Sequence, residues 1–462
     1  MLKLQAVILA SLGLLVSACG PSAPKPELGE IYNAAAQRSH AERNPIIVIP
    51  GVIGTRLVSD PGGEVVWGVF GPGGVDHRSA EGRRALALPI SSSGWPRDEV
   101  RPDFALEELE VSLGFNFQFK AYANMLAAFG AGGYIDPAHV DLGDVDYGDE
   151  HFTCFQFGYD WRRSCAENAA ELGRFIEEKR REVSRKRREL GIGGGPVKFD
   201  LVAHSMGGLV ARYYLMYGKR PLTSSGDMPV TWSGARHVDK LIMVGTPNGG
   251  SVYAYRDIFD GMRLAPLLPR IPAAVVGTMP SAFELMPPGE AGALIDEHSE
   301  AINPYAVDEW DRRGWGMLNP EQDDVLAELM PETTDPAERR RRAKGHLDKM
   351  LRNARAFHRA ISCECRTPGG LEFFAFVGDA VPTASRVQIE GDGSQVLIDY
   401  LPGDKLVTRR SALRDKRPAG DSGRVRSPIP WAGVNFVFTD HLKMTSDPAF
   451  TDNVLYLLLE RP

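Results

Sequence analysis

The sequence predicts an α/β fold, a mainly parallel sheet with helices on both faces. Three observations predict it. Short apolar runs recur at 46–49, 152–157, 197–203, 240–244, 371–377, 396–400 and 435–438. Strands buried on both faces read as such runs. Amphipathic segments separate them, with helix start signals at Ser164 and at Asp447-Pro448, the latter opening a last helix over 448–459. At 197–211 an apolar strand passes into a small-residue helix through one tight turn. Strand–helix alternation of this kind builds parallel sheets.

That turn is Ala203-His204-Ser205-Met206-Gly207. A serine between strand and helix stands clear of the backbone. The residues two before and two after it must be small, because strand and helix nearly touch there. This is the nucleophile elbow of the α/β-hydrolase fold, with Ala203 in place of the first glycine. It predicts Ser205 as a nucleophile, with a helix N-terminus behind it to face developing negative charge. The 46–49 strand ends in Pro50-Gly51-Val52-Ile53-Gly54. In this fold one oxyanion N–H comes from an early loop and one from the residue after the nucleophile. The candidates are the backbone N–H groups of Val52 and Met206.

A base must follow a late strand to reach the same edge of the sheet. Of ten histidines, His441 follows the 435–438 strand within three residues and precedes the last helix. His204 adjoins Ser205 and points elsewhere, while His298, His346 and His358 fall in the block before the late strands. Two carboxylates could orient the imidazole. Asp379 follows the 371–377 strand and Asp404 follows 396–400. Strand counting, with 387–400 as an inserted hairpin, slightly favours Asp379; the residues alone leave both open.

The 462 residues carry a net charge of −7, with 43% hydrophobic and 24% charged side chains. This balance argues against a nucleic-acid binder with a basic face. No ligand cluster with metal spacing occurs, so neither metal nor other cofactor is expected. Residues 1–18 read as an export leader: Lys3, an apolar stretch at 6–16 too short to span a bilayer, and Ser17-Ala18. Val16-Ser17-Ala18-Cys19 reads as a lipoprotein box that would acylate Cys19. Residues 19–43 then form a flexible tether to a bacterial envelope membrane, on the periplasmic side or at the outer membrane. The remaining Cys154, Cys165, Cys363 and Cys365 allow three disulfide pairings.

The domain over 44–462 holds two expected additions. Residues 60–101, rich in Gly, Pro and Ser and carrying Trp67 and Trp95, read as a weakly structured lid. Residues 250–361 read as a cap, greasy in its first part and closing with a charged helix at about 338–359. Residues 115–129 show helical spacing. The basic stretch 179–188, interleaved with glutamates, reads as a solvated helix face.

Several motifs together, Pro50-Gly51-Val52-Ile53-Gly54, Tyr159-Asp160-Trp161-Arg162, Ala203-His204-Ser205-Met206-Gly207, Gly403-Asp404-x-x-Val407 with Ser411, and Asp440-His441-Leu442-x-Met444, occur in this order. The chain thereby resembles the family of lecithin:cholesterol acyltransferase, phospholipid:diacylglycerol acyltransferase and lysosomal phospholipase A2 over about 44–462. The resemblance implies Ser205 as nucleophile, Asp404 as acid and His441 as base. It places Asp379 where the family has an uncharged residue, and Trp67 at the position of a substrate-contacting lid tryptophan. The family's lid is closed by a disulfide, for which this chain has no cysteine pair. The implied activity moves a fatty acyl group from a phospholipid-type ester, through an acyl-serine, to a lipid alcohol or water. A neutral-lipid or small-ester lipase, and a silent lipid-binding lipoprotein, are the alternative expectations.

Overall fold

Six of the short apolar runs pair edge to edge, every pair parallel. They are β1 (Ile46–Ile49), β2 (Cys154–Gln156), β3 (Phe199–His204), β4 (Val238–Val244), β5 (Glu372–Gly378) and β8 (Trp431–Val437). Their spatial order is β2-β1-β3-β4-β5-β8. The computed structural model describes residues 27–28, 31–32, 43–106, 108–112, 116–120, 122–134, 136, 153–191, 195–263, 270–418 and 421–461. The expected leader and Cys19 lie outside these residues. Among the described residues, no helix is long and apolar enough to cross a membrane.

Alternate side chains along each strand go to opposite faces. Ile47, Ile49, Leu201, Ala203, Leu241 and Met243 enter one core, shared with α1 (Cys165–Glu189), α2 (Met206–Tyr217) and the cap. Ile46, Val48, Val202, Ile242 and Val244 enter the other, with the helix Ala123–Ala131 and the last helix, Pro448–Leu459. Both predicted start signals act as caps. The Ser164 side chain accepts from Glu167 N–H in a capping box, and Asp447 accepts from Ala449 N–H.

This alternation also decides a disulfide. Cys154 sits in one core and Cys165 in the other, both as buried free thiols, so the sheet separates them. Cys363 and Cys365 are free thiols as well, with Sγ atoms 2.7 Å apart.

Several expectations need correction. Residues 60–101 are structured. Val65–Trp67, Thr55–Ser59 and Val100–Ala105 form an antiparallel sheet, and Ala80–Leu86 is a helix capped by Ser79. Strands this short, broken by Gly and Pro turns, leave too little periodicity to read. Among the described residues of 115–129, the helical ones belong to Ala123–Ala131. Asn116–Lys120 is a strand antiparallel to Glu108–Ser112. The expected tether is not free throughout: Tyr32 is buried, with its hydroxyl 2.9 Å from both the carbonyl and the carboxylate of Asp452.

The cap is mostly helical and ends in a helix at Pro336–Ile361, capped by Asp335. Phe259, Phe283, Trp310 and Trp315 pack on one another, filling the lobe's own interior. The inserted hairpin is present as β6 (Val381–Ile389) against β7 (Gln395–Gly403), outside the central sheet.

Strand order reverses between β1 and β3, whose crossovers leave toward opposite edges. In open parallel sheets, such a switch opens a crevice at the carboxyl ends of the strands. Here those ends are Pro50-Gly51-Val52 and Ser205.

Candidate active site

Ser205 alone turns the chain from β3 into α2, at φ +51° and ψ −125°. A side chain larger than glycine's is strained there and persists only where its surroundings impose it. They do so here. Ser205 N–H donates to the Val244 carbonyl at 2.8 Å. A Cβ on Gly207 would strike the carbonyl oxygens of Ile49 and Pro50, and one on Gly208 would strike Thr246. The small residues of the elbow are thus demanded by contact with β1 and the β4 exit.

His441 Nε2 lies 3.0 Å from Ser205 Oγ, and its Nδ1 lies 2.8 Å from Asp404 Oδ2. A carboxylate can only accept, so Nδ1 carries the proton and Nε2 faces the serine hydroxyl. All three residues are buried: Ser205 is 6%, His441 5% and Asp404 1% exposed. Ser205 follows β3, Asp404 follows β7 and His441 follows β8.

The Gly-Asp-x-x-Val motif explains how Asp404 is held. Its Oδ1 accepts from the N–H groups of Leu406 at 3.0 Å and Val407 at 2.7 Å, leaving Oδ2 for the imidazole. Its own N–H donates to the Val407 carbonyl at 3.1 Å. Gly403 has no room for a Cβ beside Val407 and Thr383. Ser411, the last member of that motif, donates to the Gly250 carbonyl and accepts from Gly249 N–H, tying the loop to the β4 exit.

Asp379 lies elsewhere. It pairs with Arg409 at 2.9 and 3.1 Å, while the imidazole bonds Asp404. Strand counting identified the inserted hairpin but not its effect. The hairpin returns the chain to the end of β5, where Asp404 lies directly over Gly378.

The Pro50–Gly54 loop is held on several sides. Gly51 N–H donates to Tyr122 Oη at 2.8 Å, and Tyr159 Oη donates to the Pro50 carbonyl at 2.9 Å. Trp67 Nε1 donates to the Ile53 carbonyl at 2.9 Å. Gly51 packs so close to Ser205 that a Cβ there would lie 2.9 Å from the serine Cβ. Among the described residues the N–H groups of Val52 and Met206 meet no protein acceptor. For Met206 this follows from its place at the first turn of α2.

Trp67 is a correction. It is fully buried against Trp161, Phe70 and His77, and braces Ile53. The Tyr-Asp-Trp-Arg motif braces from behind. Trp161 Nε1 donates to the Thr55 carbonyl, and the buried Arg162 is clamped bidentately by Asp160 and by Asp98. Sequence reasoning missed Tyr122, a lone tyrosine with no motif, and took His204 only as pointing elsewhere. His204 is buried and its pKa is pushed down to about 3, mainly by burial and then by His441, so it is neutral. Among the described residues, no cluster of three or more His, Cys, Asp or Glu could hold a metal ion.

The parallel sheet, the strained serine elbow and the late histidine loop define an α/β-hydrolase fold. Residues 144–313, which carry β2, α1, Ser205 and the first half of the cap, match the lecithin:cholesterol acyltransferase family. Asp404 and His441 lie beyond that match. The structure of the Tle4–Tli4 complex is similar over 90% of this chain and 98% of that one, at 16% identity and a TM-score of 0.57. Lipase 1 from Pelosinus fermentans covers 90% of this chain and 99% of its own at 14% identity, with a TM-score of 0.34. Bacillus licheniformis lipase BlEst2 in its mature form gives 92%, 94%, 12% and 0.34. No curated protein matches the sequence.

Proposed function

We propose that the protein is a serine-dependent acyl-ester enzyme. It would move a fatty acyl group from a phospholipid-type ester, through an acyl-serine, to an alcohol or to water. The observation that carries this reading is the hydrogen-bonded series Ser205–His441–Asp404.

In this scheme His441 Nε2 takes the Ser205 proton as Oγ attacks the ester carbonyl. The oxyanion is held by the N–H groups of Val52 and Met206, each such donor being worth roughly 10²–10³ in rate. Collapse breaks the ester C–O bond, and the imidazolium returns its proton to the departing alcohol. A second hydroxyl, from water or a lipid alcohol, then gives its proton to His441 and attacks the acyl-serine; the acyl–Oγ bond breaks, the imidazolium returns the proton to Ser205 Oγ, and acid or new ester leaves. Asp404 holds the tautomer and stabilises the imidazolium throughout.

The family matched by residues 144–313 supports acyl transfer between lipids. Exposed apolar side chains on either side of the base support a lipid substrate: Phe438 is 70% and Leu442 48% exposed. The leader and lipoprotein box support an exported protein anchored by an acyl group on Cys19.

A fluorophosphonate probe tests the reading. Ser205 should be labelled in wild type and not in Ser205→Ala. An unlabelled, folded wild type would instead make the protein a silent lipid binder. Product masses from a phospholipid mixture, with and without an alcohol acceptor, separate the two outcomes. Free fatty acid alone would make it a phospholipase and end the transferase reading.

A further inference from the structure

Tyr122 and His204 join the two halves of the site through one buried chain of hydrogen bonds. Gly51 N–H donates to Tyr122 Oη at 2.8 Å, and that oxygen lies 3.0 Å from His204 Nδ1. The His204 Nε2 lies 3.3 Å from the main-chain carbonyl of His441. The His441 carbonyl can only accept, so the neutral His204 ring carries its one proton on Nε2, and Nδ1 is left to accept from the Tyr122 hydroxyl. Every link is directional, and a single tautomer satisfies all of them.

Tyr122 is 3% and His204 6% exposed, so bulk water has little access to these groups. The packing is close. A Cβ on Gly51 would lie 3.3 Å from His204 Nδ1, and one on Gly54 would lie 2.9 Å from Tyr122 Oη. The rings of His204 and His441 stack at a tilt, centroids 5.0 Å apart. Burial keeps His204 neutral, as the chain requires. Among the described residues, the hydrogen bonds of Tyr122 and His204 go to Gly51, to each other and to the His441 carbonyl.

We propose that Tyr122 and His204 are positioning residues that fix the Gly51–Val52 loop against the elbow and set the height of His441 above it. This inference rests on the acyl-serine chemistry proposed above. Tyr122 ties the oxyanion loop to the neighbour of the nucleophile, and His204 passes that tie to the backbone of the base. The three catalytic elements, loop, elbow and base, come from distant parts of the chain. A displacement of about 1 Å between such groups can cost roughly 10²-fold in rate.

The test compares wild type with Tyr122→Phe and His204→Gln on a soluble acyl ester, with fluorophosphonate labelling and melting curves alongside. In Tyr122→Phe, which loses the link to both partners, kcat should fall about tenfold to hundredfold. KM should stay within about threefold, and the labelling rate should fall with kcat. His204→Gln keeps a donor for the His441 carbonyl and leaves the tyrosine hydroxyl free to accept from Gly51. It should lose less, and so report even if Tyr122→Phe does not fold. Folded Tyr122→Phe with wild-type kcat would overturn the proposal, as would failure of both variants to fold, which would assign the chain to stability alone. Absence of labelling in the wild type would instead sink the parent reading, and the two failures are distinguishable.

Discussion

His441 and Asp404 are joined twice: imidazole Nδ1 to carboxylate Oδ2 at 2.8 Å, and His441 N–H to the Asp404 carbonyl at 2.8 Å. The second bond belongs to the backbone and survives any change of side chain. In Asp404→Asn the amide oxygen stays with the Leu406 and Val407 N–H groups. The NH₂ is then turned on Nδ1, forcing the imidazole proton to Nε2, where it can no longer receive the serine proton. A kcat loss of about 10⁴ with little change in melting temperature is expected from ester hydrolysis.

Asp379→Asn should be nearly silent. The variant loses a half-exposed ion pair with Arg409, worth about 0–1 kcal/mol. Activity within about twofold of wild type is expected. A loss as large as that of Asp404→Asn would reverse the assignment of the acid.

Gly378→Ala places a Cβ against Asp404 at the end of β5. Neither backbone can yield cheaply, so a loss of about 1–3 kcal/mol on chemical denaturation is expected. Activity at saturating substrate should fall further than the folded fraction, because Asp404 is what must move.

Glu284 makes a pH prediction. It is 1% exposed, accepts from Cys165 N–H at 2.7 Å, and its pKa is raised to about 7, mainly by burial. A raised carboxylate pKa favours the fold below the ordinary value near 4.5. That contribution is lost as pH climbs through 7. The penalty at pH 8 is ~3 kcal/mol at most. Glu284→Gln keeps an acceptor for Cys165, and Asn353 can rotate its amide to suit. The variant should melt higher than wild type at pH 8, and the gap should close by about pH 5.

Cys19→Ala tests the proposed anchor. Wild type should sediment with membranes and the variant should be released to the soluble exported fraction. Equal release of both would remove lipidation.

The elbow was legible because strand, turn and helix are local: the fifteen residues 197–211 hold the pattern, and glycine spacing reports the contacts. His441 was legible for a similar reason, as a short loop joins a strand to a capped helix. The acid was not legible from strand counting. Its position depends on where a hairpin brings the chain back, a tertiary fact with no local signature, and only motif resemblance pointed to it. Tyr122 was invisible because a single hydroxyl closes the chain of bonds, and a lone tyrosine at the start of a helix carries no motif. Trp67 was placed at a lid position by resemblance alone, yet its indole fills the core behind Ile53.

The docking of Tyr32 on Asp452 has a consequence for reach. Were Cys19 to carry an acyl chain, only about 13 residues would separate the lipid from a pinned point on the body. Even fully extended, that leash spans no more than ~45 Å. The enzyme would graze the bilayer that holds it, with its carboxyl-terminal helix kept near the lipid, instead of sampling neighbouring membranes.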